Sequence, residues 1–368
     1  MDLHTLGFDD FFESRFLDFR EQGYTPARVT QEHRERYQLF SEKGEIAAQL
    51  SGRFRHQAAT LADYPTVGDW VAIDHRDLSS DSVIHGLVPR RTSFSRKAVL
   101  AGGPKYRAGR TDEQVLAANV DSVLLVAGLD NDFNVRRIER YLTIAWDSGA
   151  QPVIVLNKAD LCDDPEAAVD QVEAVAAGVP VHSVSAVSGL GIETLSDYLK
   201  TGHTLAFLGS SGVGKSSLIN QLLGESKLAT GGVRKGDGRG RHTTTQRELI
   251  ILPSGGLVID TPGLREIQQF NDEGGLSRTF GDIETLMDQC RFNDCGHDTE
   301  PGCAVRAALE SGSLDPKRYQ SYLKMLKEQV HLTKRRDVHS RRQMEREFGQ
   351  RVRRYHQDMK ELKKKGLA

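Results

Sequence analysis

Four cysteines in 368 residues are too few to staple a fold of this size, and three of them crowd into one 14-residue window. That crowding points to metal ligands rather than to a disulfide framework. No stretch comes near the roughly 18 apolar residues that a membrane span requires. Asp2, Asp9 and Asp10 lie among the first twelve residues, so the N-terminus does not read as a secretory signal. The expected location is therefore cytoplasmic, with no membrane partner. No internal repeat is visible, which excludes solenoid and propeller arrays. The chain also lacks a strong overall charge, its formal net being -2. That near-neutrality hides an asymmetry: from His331 to Ala368 there are 13 Lys or Arg against 5 Asp or Glu. Runs such as Lys334-Arg335-Arg336 and Lys363-Lys364-Lys365 suit either a solvated helix or a polyanion partner.

What is present reads as several domains. Residues 1–36 are polar and helix-like, an extension without identifiable chemistry. Residues 37–100 break into short strands separated by turn residues, the texture of a small antiparallel barrel. Within it Arg53, Arg55, Arg90, Arg91, Arg96 and Lys97 interleave with Phe54 and Phe94, a mixture suited to RNA phosphates and stacked bases. Residues 101–112 form a Gly-rich, basic linker. From 113 to 268 apolar strand candidates at 123–126, 153–156, 205–208 and 257–259 alternate with helical stretches, which predicts a parallel sheet covered on both faces. Residues 269–340 are mainly helical and contain the cysteine cluster, and 341–368 form a basic helical tail.

The chemistry lies in the α/β segment. Gly209-Ser210-Ser211-Gly212-Val213-Gly214-Lys215-Ser216 fits the phosphate-binding loop pattern, after a predicted strand and before a helix that opens with Ser217. Its glycines let backbone N–H groups wrap phosphates, Lys215 reaches the β/γ-phosphates and the Ser216 hydroxyl binds Mg²⁺. Asn157-Lys158-Ala159-Asp160 follows another predicted strand. The Asp160 carboxylate can accept from guanine N1–H and the 2-amino group, and adenine offers neither donor. Asn157 would tie this loop to the phosphate loop, and the Lys158 stem would cover the base. Ser185-Ala186 could give the guanine O6 a backbone N–H. Asp260-Thr261-Pro262-Gly263 supplies a carboxylate for Mg²⁺ and, at Gly263, an N–H for the γ-phosphate. The loop from Gly231 to Thr245 reads as a switch, one of Thr243, Thr244 or Thr245 reaching the metal. Cys290, Cys295, His297 and Cys303 offer three thiolates and an imidazole, a closed tetrahedral set for structural Zn²⁺.

The motif order is unusual. The guanine motifs precede the phosphate loop, so the usual termini must be joined, with Thr201-Gly202 as the bridge: a circular permutation. At this point the chain closely resembles the ribosome-small-subunit-dependent GTPase family (RsgA, also called YjeQ). The resemblance covers about residues 37–330. It rests on the motifs above and on Val67-Gly68-Asp69-Trp70-Val71, Pro89-Arg90-Arg91, Asn119-Val120-Asp121 and Gly238-Arg239-Gly240-Arg241-His242-Thr243-Thr244-Thr245. It implies an N-terminal OB-fold, a permuted GTPase domain and a zinc-binding C-terminal domain. It also implies a monomer that binds GTP and GDP, acts late in 30S assembly and is stimulated by that subunit with its 16S rRNA. Residues 1–35 are longer than the family leads one to expect. Where many GTPases carry glutamine after Asp-x-x-Gly, this chain has Leu264, which cannot orient water. His242 is the candidate substitute, and the resemblance points to it. A GTP-sensing RNA-binding module in which hydrolysis is incidental is the other reading these residues allow.

Overall fold

The computed structural model describes residues 1–33, 36–74, 81–99, 111–224, 247–260, 274–297 and 300–330. The chain forms two compact units, Met1–Gly281 and Asp282–Ala368. The first opens with helix α1 (Asp10–Glu21), capped by the Asp9 carboxylate, which accepts the Phe11 N–H at 3.1 Å. Phe12 and Phe16, four residues apart, put an aromatic stripe on its buried face. Five strands follow: β1 (Thr25–His33), β2 (Arg36–Ser41), β3 (Gly44–Leu50), β4 (Trp70–Ile73) and β5 (Ser82–Leu87), with the short helix α2 (Gly52–Gln57) after β3. They pair in the order β1-β2-β3-β5-β4, and β4 returns to β1. The result is a closed five-stranded barrel of the OB type, which leaves the sheet no free edge. Val29, Leu39, Ala48, Leu50, Val71 and Ile84 fill it. Trp70 faces the other way, with Phe8 and Phe12 packed on its ring at centroid distances of 4.7 and 6.0 Å.

Two expectations change here. The helical extension ends at Glu21, and Thr25–His33 is a barrel strand. Its polar sequence disguises it, because Arg28 is buried rather than exposed. Strands β6 (Ser93–Val99) and β7 (Thr111–Ala118) pair with each other as a separate antiparallel ribbon, so the barrel ends at β5. The Gly-rich connector between their arms lies outside the described residues.

The α/β core contains β8 (Ser122–Gly128), α3 (Val135–Ser148), β9 (Gln151–Asn157), α4 (Pro165–Glu173), β10 (Val181–Ser183), β11 (Thr204–Leu208), α5 (Lys215–Leu223), β12 (Glu248–Ile251), β13 (Leu257–Asp260) and α6 (Gly275–Thr279). The strand order is β10-β9-β8-β11-β13-β12, all parallel except β12. Successive strand residues enter opposite cores. Val123, Leu125, Ile154 and Leu208 lie on one face, and Leu124, Val126, Val155 and Phe207 on the other. That double burial explains the unbroken apolar runs. The second unit carries α7 (Gly281–Asp288), α8 (Ala304–Ser311) and a further helix over residues 316–330. Arg318 grips Asp282 through two hydrogen bonds of 2.9 and 2.7 Å. No helix among the described residues is long and apolar enough to cross a membrane.

Inside the first unit, the segments Val67–Val71, Pro89–Arg91 and Asn119–Asp121 build the seam between barrel and α/β core. A Cβ on Gly68 would come within 2.1 Å of the Ala118 carbonyl oxygen, and its φ of +92° is one that glycine adopts freely. The Asp69 carboxylate is fully buried and accepts from Arg90 Nε at 2.8 Å and Nη2 at 2.7 Å. Asn119 accepts the Arg91 N–H at 2.8 Å and donates to the Gly68 carbonyl at 3.1 Å. Arg91 itself reaches Asp9 and lies over the rings of Phe11 and Phe12. Phe54 and Phe94 are buried. Of the expected RNA-facing set, Phe54 and Phe94 are therefore core residues and Arg90 and Arg91 are held in pairs within the seam, Arg91 at its exposed rim, while Arg53 remains exposed on α2.

Arg28 is the hub of this seam. Its guanidinium donates to the carbonyls of Leu6, Gly68 (3.3 Å) and Asn119 (3.1 Å) and lies against Trp70. Burial pulls its pKa down to about 10, so it stays charged at neutral pH. Arg28→Ala would leave three buried carbonyls without that donor, at about 1–3 kcal/mol for an unsatisfied group. Urea unfolding should show a loss of about 3 kcal/mol. Arg28→Lys should recover little of it, because an ammonium lacks the planar fork that spans three acceptors. A loss below about 0.5 kcal/mol, within the range of an ordinary surface substitution, would remove Arg28 from the centre of the seam.

Candidate nucleotide site and metal centre

The chemistry-bearing segments gather at one end of the sheet. Asn157 ends β9, the 185–186 pair follows β10, the loop starting at Gly209 follows β11, and Asp260 ends β13. These are the carboxyl ends of parallel strands, where open α/β sheets hold their ligands.

The phosphate loop turns through two left-handed glycines, Gly212 (φ +82°) and Gly214 (φ +95°). A Cβ on Gly214 would come within 2.2 Å of Asn157 Nδ2, and one on Gly209 within 2.3 Å of the Val126 carbonyl oxygen. Both glycines are therefore required by close backbone approach. The N–H groups of Ser211, Gly212, Val213, Gly214, Ser216 and Ser217 have no acceptor among the described residues. A run of unpaired N–H groups in this conformation is an anion nest at a helix start. Lys215 Nζ donates to the carbonyls of Gly209 at 2.7 Å and Ser210 at 2.5 Å, which lays the ammonium along the loop.

Asn157 is buried and joins two loops with one amide. Its Nδ2 donates to the Val213 carbonyl at 2.8 Å, and its Oδ1 accepts the Ala186 N–H at 3.0 Å. Lys158 adopts φ 65°, ψ 35°, unusual for a side-chain-bearing residue. Asp160 is exposed and has no partner among the described residues. One expectation is corrected here: the N–H of Ser185 is taken by the Leu190 carbonyl at 2.8 Å, and that of Ala186 by Asn157. The first N–H without an acceptor among the described residues is that of Val187, a residue 85% exposed. The Ser216 hydroxyl has no protein partner among the described residues. His242, Thr243, Thr244, Thr245, Gly263 and Leu264 lie outside them.

Sequence reasoning missed a second set of residues here. Lys158 Nζ meets Asp130 Oδ2 at 2.6 Å, and this hydrogen bond holds the Asp130 carboxyl below the usual carboxylate range. Arg137 on α3 grips Asp132 with both Nη atoms, at 2.5 and 3.0 Å, and donates to Ser210 Oγ at 2.8 Å. Tyr141, one turn further along, stands 3.3 Å from the same hydroxyl. No local motif announces these contacts, because their partners come from different strands.

In the second unit the donor atoms of Cys290, Cys295, His297 and Cys303 all lie within 4.8 Å of one another. His297 Nδ1 is 3.6 Å from the sulfurs of both Cys290 and Cys303, and those sulfurs are 4.0 Å apart. With metal–sulfur bonds of about 2.3 Å and metal–nitrogen bonds of about 2.0 Å, the edges of a tetrahedron fall near these values. Local geometry builds the cluster: His297 takes φ 61°, and Cys303 caps α8 by accepting the Arg306 N–H. The four residues can hold a metal ion.

A closed β-barrel, an α/β core with a permuted motif order, and a helical unit with a Cys/His cluster together define a circularly permuted P-loop GTPase. Comparison with known proteins names the family. The model of the RsgA GTPase family matches residues 88–270. The chain is 50% identical to the small ribosomal subunit biogenesis GTPase RsgA of Opitutus terrae over 347 residues, covering 92% of each. It also resembles the crystal structure of YjeQ from Thermotoga maritima, with 30% identity, a TM-score of 0.60, and 83% of this chain and 99% of that one covered. The structure of YloQ, a circularly permuted GTPase, matches at 25% identity and a TM-score of 0.55, covering 85% and 96%. This chain belongs to the RsgA GTPase family and is a GTP-hydrolysing enzyme.

Proposed function

We propose that this chain hydrolyses GTP to GDP and phosphate as a late-acting biogenesis factor of the small ribosomal subunit, and that the 30S particle with its 16S rRNA stimulates the turnover. The observation that carries the nucleotide reading is the Asn157 amide, which couples the phosphate loop to the base-recognition loops through bonds of 2.8 and 3.0 Å. In this reading Asp160 accepts from the guanine N1–H and 2-amino groups, and the Lys158 stem covers the base. The Val187 N–H, rather than those of Ser185 or Ala186, donates to O6. The N–H groups from Ser211 to Ser217 receive the phosphates, and Lys215 swings from its loop carbonyls onto the β/γ oxygens. Ser216, Asp260 and one of Thr243, Thr244 or Thr245 hold Mg²⁺, which neutralises phosphate charge during transfer. Gly263 donates to the γ-phosphate. The cysteine and histidine cluster holds one structural Zn²⁺. The chain works as a cytoplasmic monomer.

His242 orients the attacking water in place of the glutamine that Leu264 replaces. A GTPase assay with separated 30S and 50S subunits tests the whole reading. The 30S subunit should raise turnover strongly and the 50S subunit should not. His242→Ala should lose about 10²-fold of the stimulated rate, the scale of a water-orienting group, while binding GTP normally. Equal response to both subunits would sink the small-subunit assignment, and full stimulated turnover in the variant would show His242 to be a bystander.

A further inference from the structure

The sheet order places β8 between β9, which carries the guanine loop, and β11, which carries the phosphate loop. The segment after β8 therefore runs between the two halves of the nucleotide site. It bonds to both. On one side, the Leu129 N–H donates to the Asn157 carbonyl at 2.7 Å, and Asp130 Oδ2 holds Lys158 Nζ at 2.6 Å. On the other side, Arg137 donates to Ser210 Oγ at 2.8 Å while both its Nη atoms engage Asp132. The segment is itself stiff. Asp130 Oδ1 accepts the Asp132 N–H at 3.0 Å, and the Asp130 carbonyl accepts that of Phe133 at 2.9 Å. Asn134 caps α3 through the N–H groups of Arg136 and Arg137. Behind the phosphate loop, between Gly128, Arg137, Tyr141 and Val213, only about 10 Å³ stays open. That is room for one water at most, so this is a packed joint and not a ligand pocket.

We propose that Asp130 and Arg137 are positioning residues, and that the β8–α3 segment is a bracket holding the guanine loop and the phosphate loop in one register. The Asn157 amide is the direct tie between those loops, and the bracket is the second. Neither residue reaches the nucleotide. Asp130 fixes the ammonium end of Lys158, which sets where its stem lies over the base. Arg137 fixes the second residue of the phosphate loop from behind, which keeps the nest of N–H groups in its conformation. The inference rests on the nucleotide reading above. It adds that affinity depends on residues outside every nucleotide motif.

The test is a double-mutant cycle read by the dissociation of a fluorescent GDP analogue from the full chain. Arg137→Ala should weaken GDP binding about 10-fold, mainly through faster release, with the loss in steady-state turnover falling on KM rather than kcat. Arg137→Lys should recover little, because lysine cannot grip Asp132 with two donors while also donating to Ser210. In a Ser210→Ala background, Arg137→Ala should cost less than twofold more, since its acceptor has already gone. Asp130→Asn keeps the shape and removes the charge, and should also release GDP about 10-fold faster. Equal losses from Arg137→Ala with and without the Ser210 hydroxyl would overturn the bracket. So would unchanged release in Asp130→Asn, or losses that merely follow a fall in melting temperature of the nucleotide-free protein. The unsubstituted chain is its own control. If it binds no GDP the nucleotide reading fails, whereas normal binding with insensitive variants removes only the bracket.

Discussion

Cys303→Ser should unfold the second unit and leave the first intact. Among its described residues this unit buries only a small apolar set, including Ile283, Val305, Ala308, Leu314, Tyr322 and Met325. A core of that size stabilises little by itself. The four side chains of the cluster come from separate places: just past the end of α7, a loop holding His297 at φ 61°, and the cap of α8. Bringing three thiols and an imidazole within 4.8 Å of one another is unfavourable without a cation, because the thiolates that bind metal also repel. Structural zinc supplies on the order of 10 kcal/mol in small domains, more than such a unit can otherwise gather. Metal analysis of protein purified without chelator should find about one zinc per chain in the unsubstituted protein and almost none in the variant. Limited proteolysis should then remove the chain beyond about residue 281 while the first unit persists. Protein that is zinc-free and still resists proteolysis there would end the zinc reading.

How much of this was legible in the sequence depended on where the partners of each residue lie. The phosphate loop and the Asn157–Asp160 loop were readable because their chemistry needs particular residues at consecutive positions on one turn. The Cys/His cluster was readable because its four side chains, though not consecutive, fall within 14 residues. Asp130 and Arg137 were not readable. Each acts through a residue 28 or 73 positions away, and a charged loop residue looks the same whether it braces a neighbour or faces water. Strand β1 was missed for a related reason. Arg28 reads as surface until Leu6, Gly68 and Asn119 surround it.

Segments that carried the family resemblance without any chemistry, such as Val67–Val71 and Asn119–Asp121, turn out to be structural. Gly68 is there because the Ala118 carbonyl leaves no space for a Cβ. Asp121 is there because its carboxylate accepts the Thr204 N–H at 2.8 Å, tying the start of β11 to the strand beside it. The N-terminal segment adds to the same seam. A Cβ on Gly7 would come within 2.6 Å of the Gly202 carbonyl oxygen, and one on Gly202 within 2.6 Å of that of His4. The residues without assigned chemistry thus pack against the bridge that the permutation created.

Asp160→Asn should turn a guanine site into a xanthine site. The carboxylate is exposed and has no partner among the described residues, so it is available to a ligand and is not holding its own loop together. As an ionised acceptor it matches the two donors on one edge of guanine. An asparagine amide keeps one acceptor and replaces the other with an N–H₂ that faces the guanine 2-amino group, donor against donor. Xanthine carries an oxygen at that position, which accepts from the new amide. A site built to hydrogen-bond one substituent rejects its counterpart strongly, because a desolvated polar group is left unpaired. We expect GTP affinity to fall about 10³-fold and xanthosine triphosphate to bind within about 10-fold of the original GTP affinity. The Asn157 bonds to Val213 and Ala186 do not involve Asp160 and should survive, keeping both loops in place. Asn157→Ala provides the contrast, since cutting that tie should weaken guanine and xanthine nucleotides alike. Competition binding with GTP, xanthosine triphosphate and ATP distinguishes the cases. Loss of GTP without gain of xanthosine triphosphate would mean that Asp160 supports its loop instead of reading the base. Equal affinity of the unsubstituted chain for ATP and GTP would remove the guanine assignment altogether.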